Sequence, residues 1–322
     1  MPAESFCCVT VPALRTVSER NIGAPFVARP VTDRVAANHR ADECARTLGL
    51  GELDVIRESM CSTFRFGDVV LRVGHFTTSP TTAAALADML RSKEIAVPQV
   101  IATFECDDSG LGVIAYDYIP ESNHGIAWYE VGRMVRQLHT NVTVESVPDG
   151  YPIAHPTGLP WWNFPEMMSR IEELGILDAD ALTVLRSVTD ARESWTDIVS
   201  TTPTVITHGD IHPGNVIMGP DGPVLIDWDL LLVGSSIWDH IALRAWSTPP
   251  WQGNKQAYAE FAAGYGDVDW DIADLDALVK LRNLAATMLK LMATTDGVIT
   301  EEAQKRIQYW LSPETAAPWT WG

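Results

Sequence analysis

The sequence predicts an α+β protein of two lobes, a small antiparallel β lobe followed by a larger helical one. Three observations carry that expectation. Between residues 54 and 119 the apolar residues fall in short runs bounded by turn residues, the patterning of strands. From residue 129 onward they recur at helical spacing over longer segments. The chain, at 322 residues, also exceeds the roughly 250 residues beyond which one hydrophobic core usually divides.

The elements follow in order. Residues 1–50 form an N-terminal extension, Pro-broken over its first thirty residues, with helical composition from Val35 to Leu48. A β lobe then spans residues 51–118. Its runs Asp54 to Arg57, Thr63 to Phe66 and Val69 to Val73 are joined in part by Gly67-Asp68, a two-residue hairpin connection. Thr81 to Lys93 reads as a helix with Leu86, Met89 and Leu90 on one face, and Val97 to Ile101 and Gly112 to Pro120 supply two further strands. In the helical lobe, residues 119–322, Tyr129 to His139 carries Val131, Val135 and Leu138 on one face. Asp178 to Ser200, Asn254 to Tyr265, Asp271 to Met292 and Thr300 to Leu311 read as helices, separated by connectors that include Pro152 to Pro165 and Thr248 to Trp251.

Charge and composition exclude several function classes. The net charge is −19, with 13 basic against 17 acidic residues up to residue 140 and 10 against 25 beyond it. Nucleic acid requires clustered basic residues, so none is expected as a partner. An acidic surface suits a cationic small molecule, and equally serves to keep a protein dispersed. No apolar run approaches the ~20 residues of a membrane span and no basic leader opens the chain, so a cytoplasmic protein is expected. The cysteines Cys7, Cys8, Cys44, Cys61 and Cys106 are odd in number and form no Cys-x-x-Cys pair, which fits free thiols.

The chemistry concentrates in Thr207-His208-Gly209-Asp210-Ile211-His212-Pro213-Gly214-Asn215, followed by Val224-Leu225-Ile226-Asp227-Trp228-Asp229. An Asp five residues before an Asn, in a loop after a short β run, can set a carboxylate toward an attacking hydroxyl while the amide turns to a metal. A second apolar strand then delivers Asp227, a hard oxygen ligand suited to Mg²⁺. The alternation of His208, Asp210 and His212 also fits a metallohydrolase loop, but no further His and Cys cluster supplies the missing ligands. His212 therefore reads as a hydrogen-bonding loop residue.

This pattern resembles the aminoglycoside phosphotransferase family of small-molecule kinases. Gly234 with Trp238-Asp239-His240-Ile241-Ala242 is similar to the family's element whose Asp braces the catalytic loop, and Gly132 to His139 resembles its helix ending in Leu-His. The resemblance implies a two-lobed protein-kinase-like fold, ATP as phosphoryl donor with GTP as the alternative nucleotide, and Mg²⁺. It implies Asp210 as the catalytic residue, Asn215 and Asp227 as metal ligands, and Arg72 on the third strand as the cation on the α and β phosphates. An exposed strand face is the other reading of Arg72. The turn Glu58 to Thr63 lacks glycine and would cover the phosphates with Ser59, Ser62 and Thr63, while Asp117, Tyr118 and Ile119 would hold the base. The helix Thr81 to Lys93 lacks the Glu that pairs with the strand cation, leaving Asp88 or Glu94 as substitutes. Asp229 reads either as a supporting carboxylate or as a solvated or capping residue. The tryptophans read as core, with Trp161, Trp162 and Trp251 as candidates for stacking on an acceptor.

The expected acceptor is a small hydroxylated, amine-bearing molecule such as an aminoglycoside or related antibiotic. The alternatives are a metabolic kinase of an amino sugar or choline-like compound, and a catalytically silent nucleotide-binding pseudokinase. Nucleotide transfer across such acceptors separates the three.

Overall fold

The computed structural model of the chain describes residues 22–23, 29–190, 195, 197–199, 204–251, 253–294 and 297–320. Cys7 and Cys8, and residues 191–194, 196 and 200 of the helix expected to reach Ser200, lie outside the described residues.

Helix α1 (Arg34–Thr47) precedes a five-stranded sheet of β1 (Asp54–Glu58), β2 (Ser62–Phe66), β3 (Val69–Gly74), β4 (Val100–Phe104) and β5 (Gly112–Asp117). The strand order is β1-β2-β3-β5-β4 and every pairing is antiparallel. The two-residue side-chain period divides its faces. Phe64, Leu71, Val73, Val113 and Ala115 bury against Val31, Ala37, Ala41 and Cys44, so α1 lies within the sheet's own core. The opposite face carries Arg72, in register with Thr63 on one side and Ile114 on the other. The strand expected from Val97 begins three residues later at Val100. Pro98 has no N–H to give to a ladder, so pairing cannot start there.

Helix α2 (Pro80–Ser92) is capped by the Ser79 side chain, which accepts from Thr82 N, and has Pro80 in its first turn. Its Leu86 and Leu90 join the larger core formed by the rest of the chain. That part comprises α3 (Trp128–Asn141), α4 (Phe164–Leu174), α5 (Ala179–Asp190), β6 (Thr204–Thr207), β7 (Val216–Gly219), β8 (Gly222–Leu225), β9 (Leu232–Ser235), α6 (Trp238–Trp246), α7 (Lys255–Tyr265), α8 (Ile272–Met292) and α9 (Glu301–Leu311). Strands β6 and β9 pair, as do β7 and β8, each antiparallel. Helices α3 and α7 approach closely because a Cβ at Gly132 would strike Phe261 O and one at Gly264 would strike Tyr129 O.

Two helices escape the sequence pattern. Helix α4 starts at a connector proline, because Pro165 in a first turn loses no helical hydrogen bond. Helix α6 is buried along nearly its whole length, from Trp238 to Ala245, and so shows no polar stripe to reveal its period. Cys44, Cys61 and Cys106 are free thiols, as expected. No described helix is long and apolar enough to cross a membrane.

Candidate active site

The loop after β6 is held from beneath by a buried carboxylate. Asp239, in the first turn of α6 and fully buried, accepts from His208 N at 2.9 Å, Gly209 N at 2.6 Å and His139 Nε2 at 3.0 Å. Burial opposes its ionisation, but the hydrogen bond and charge of His139 outweigh it and hold the carboxyl below the usual range. His139 closes the C-terminal turn of α3, and its Nδ1 lies 2.8 Å from Tyr265 Oη. Gly209 has φ +87, and a Cβ there would overlap Leu230 O, so the loop's second position admits only glycine.

Asp210, Asn215 and Ile226, the residue before Asp227, belong to one hydrogen-bonded unit. Asn215 Nδ2 donates to Asp210 O at 3.0 Å, which leaves the amide oxygen as an acceptor. Ile226 N donates to Asn215 O at 3.1 Å, and His208 Nε2 donates to Ile226 O at 2.9 Å, tying the loop to the end of β8. There Asp227 adopts φ 65, ψ 69, the left-handed region that Asp and Asn tolerate better than other side chains. This local backbone strain ends the strand and presents a carboxylate that is 45% exposed.

The Asp210 carboxylate is engaged on both oxygens. Arg282 Nη2, from α8, pairs with Asp210 Oδ1, and His212 Nε2 lies 3.4 Å from Oδ2. His212 Nδ1 meanwhile accepts from Gly214 N at 3.1 Å, the hydrogen-bonding role expected of it. Burial alone would raise the Asp210 carboxyl, but Arg282 and then His212 hold it well below the ordinary carboxylate range. Arg282 also lies over the Trp161 ring at 5.3 Å. Trp162, Gly209, Trp238, Ile241 and Ala242 line the surface beside it.

Arg72 reaches across from β3. Its Nη2 is 3.2 Å from Asp227 Oδ1 and 3.0 Å from Asp229 Oδ2. Burial, with the charge of Asp227 added against the pull of Arg72, pushes the Asp229 carboxyl up to about 6. Asp227 is held below its ordinary value, because Arg72 and the Asp229 hydrogen bond outweigh burial. Asp229 is therefore a supporting carboxylate. The helix Glu that the sequence lacks has no substitute in α2 or at its end: Asp88 is exposed and Glu94 accepts from Gln137 Nε2 at 3.3 Å. Arg72 takes its counter-charge from Asp227 and Asp229.

The remaining expected residues divide. Thr63 shares the Arg72 face. Ser62 does not: it is fully buried and its Oγ accepts from Arg34 Nη1 at 2.8 Å, so its hydroxyl is withdrawn from the cleft by the strand's alternation. Ser59 gives its carbonyl to Arg34 Nη2 at 3.0 Å. In the segment after β5, Asp117 N donates to Gln99 O and Tyr118 N to Asp68 O, so Ile119 N is the one N–H of the three without a backbone partner among the described residues. Trp162 is core, stacked on Trp195 at 5.0 Å, and Trp251 donates to Asn283 Oδ1 at 2.9 Å, whereas Trp161 is half-buried under Arg282. Arg282 was not singled out by the motifs. Its signal is a guanidinium placed in the apolar stripe of Leu275, Leu278 and Ala285.

The profile of the phosphotransferase enzyme family matches residues 62–278. No curated protein sequence matches the chain. Among solved structures the fold is similar to the AMP-bound complex of spectinomycin phosphotransferase, at 14% identity and TM-score 0.59, covering 87% of this chain and 96% of that one. It is similar to a choline/ethanolamine kinase family protein from Mesorhizobium loti, at 16% identity and TM-score 0.60, covering 86% and 95%. It is similar also to the GDP complex of aminoglycoside 2′-phosphotransferase-IIIa, at 13% identity and TM-score 0.63, covering 86% and 98%. At these identities the likeness is one of fold.

Proposed function

The chain belongs to the phosphotransferase enzyme family, and from that premise we propose that it is an ATP- and Mg²⁺-dependent O-phosphotransferase moving a γ-phosphoryl group to a hydroxyl of a small molecule. The observation that carries this reading is the hydrogen bonding that ties Asp210 to Asn215 and Asn215 to the residue before Asp227, with Arg72 reaching Asp227 from the sheet.

The acceptor hydroxyl lies against Asp210, whose ionised carboxylate orients it in line with the γ-phosphorus and takes its proton as the oxygen attacks. The bond to the β–γ bridging oxygen breaks and ADP leaves. Arg72 lies along the α and β phosphates, where a guanidinium makes two contacts. The backbone after β5, through Ile119 N–H and neighbouring carbonyls, meets the base, adenine or in the alternative guanine.

The donor set fits Mg²⁺: Asp227 and the amide oxygen of Asn215 offer hard oxygens. When bound, the ion supplies neutralisation of charge on the β and γ phosphate oxygens.

For the acceptor we favour an amine-bearing antibiotic. The net charge of −19 supports a cationic molecule, and relatives of this fold are named for spectinomycin and amicoumacin. The similarity to a choline/ethanolamine kinase family protein favours a metabolic kinase of a choline-like or amino-sugar compound as the second reading. A silent pseudokinase is the third, and the absence of a helix Glu beside Arg72 is what favours it. Neither nucleic acid nor membrane enters as partner, and the reaction is placed in the cytoplasm.

The test is phosphoryl transfer from ATP with Mg²⁺ across spectinomycin, aminoglycosides, choline and amino sugars, read by mass gain of the acceptor. Gain on one acceptor class supports the reading. Nucleotide binding without gain on any of them favours the pseudokinase.

A further inference from the structure

The turn between β1 and β2 is tied to residues that precede the family-matched segment. Arg34, the first residue of α1, donates from Nη1 to Ser62 Oγ at 2.8 Å and from Nη2 to Ser59 O at 3.0 Å, and its Nε lies 3.8 Å from Glu58 Oε1. Val31 N adds a bond to Met60 O at 3.0 Å. A planar fork thus spans the turn from its first residue to the start of β2.

This has a stereochemical consequence. A trans peptide sets each C=O opposite the following N–H. Drawing the carbonyls of Ser59 and Met60 toward α1 turns the N–H groups of Met60 and Cys61 the other way, toward the sheet face that carries Arg72. Neither N–H has a backbone partner among the described residues. Two adjacent, outward N–H groups beside a guanidinium form a concavity suited to phosphate oxygens.

We propose that Arg34 is a positioning residue for nucleotide binding: it fixes the β1–β2 turn so that Met60 and Cys61 N–H face the triphosphate. The proposal rests on the nucleotide-site reading above. It assigns to α1 a part in the reaction, and it explains why Ser62 is buried and hydrogen-bonded to Arg34.

The experiment compares dissociation constants of ATP and of adenosine, both without turnover, for wild type, Arg34→Gln and Ser62→Ala, with thermal melts alongside. Adenosine reads only the base and ribose contacts. Arg34→Gln is expected to weaken ATP about tenfold, the loss of one charge-assisted hydrogen bond, while adenosine changes less than about twofold. Ser62→Ala, a small change at a buried site, is expected to weaken ATP in the same direction with adenosine unchanged. Equal weakening of ATP and adenosine by Arg34→Gln, or unchanged ATP affinity in both variants, overturns the proposal. Wild type binding adenosine but not ATP overturns it as well, whereas wild type binding neither nucleotide overturns the nucleotide-site reading itself and this proposal with it.

Discussion

Arg282 of α8 and Asp210 of the loop after β6 are 72 residues apart in sequence and form an ion pair, with Arg282 over the face of Trp161. The pair holds the carboxyl well below the ordinary carboxylate range and fixes its direction, so under the proposed function it bears on the acceptor and not on the nucleotide. Arg282→Gln is expected to lower kcat/KM for the acceptor by about 10- to 100-fold, the range of one lost charged hydrogen bond. The ATP dissociation constant should stay within about twofold. Steady-state kinetics with ATP titration checks this, and a defect confined to ATP would contradict it.

Asp227 sits in the left-handed region with its carboxylate exposed and paired to Arg72. Asp227→Ala is expected to remove the part of nucleotide affinity that depends on Mg²⁺ while leaving metal-free binding little changed. Calorimetry of ATP binding with and without Mg²⁺ measures both. An undiminished Mg²⁺ increment would mean that the metal is held elsewhere.

Asp239 is fully buried and accepts three hydrogen bonds, two from the loop backbone and one from His139. Asp239→Asn turns an acceptor oxygen into a donor against N–H groups and leaves His139 without its counter-charge. The expected loss is about 3–5 kcal/mol of unfolding free energy, read from urea unfolding. A loss below about 1 kcal/mol would show that the brace is not structural.

His240, next to that brace, is fully buried among Tyr258, Phe261, Tyr265 and Trp270, with Nε2 unpartnered among the described residues. Burial and then the neighbouring His139, against Asp239, lower its pKa to about 3. A histidine with a depressed folded pKa is neutral in the fold and charged in the unfolded chain below about pH 6.5, so its stability contribution is full above that pH and falls as pH drops toward 3. Between pH 8 and pH 5 wild type is expected to lose about 2 kcal/mol more than His240→Phe. Urea unfolding of both proteins at the two pH values checks it, and parallel losses would contradict the assignment.

The sequence is most legible where chemistry demands a fixed residue at a fixed spacing. The loop from His208 to Asn215, the segment after β8 that carries Asp227 and the hairpin at Gly67-Asp68 can each be read because their spacing and backbone conformation admit few substitutes. Groups that meet only in three dimensions stay hidden. Arg282 and Arg34 act across 72 and 28 residues, and no local pattern pairs them with Asp210 and Ser62. Ser62 was misread for a related reason: a hydroxyl in a phosphate-covering turn looks available until strand alternation assigns its face. Asp229 is joined to Asp227 through Arg72, which lies 157 residues from it in sequence and pairs with both.

The most direct measurement sets turnover against nucleotide affinity in Asp210→Ala, using the acceptor on which wild type places phosphate. The expected result is a fall in kcat of at least about 100-fold, the lower end for a general base, with Mg-ATP affinity nearly intact. Equal turnover in variant and wild type would contradict the role assigned to Asp210 and, with it, the catalytic reading of this site.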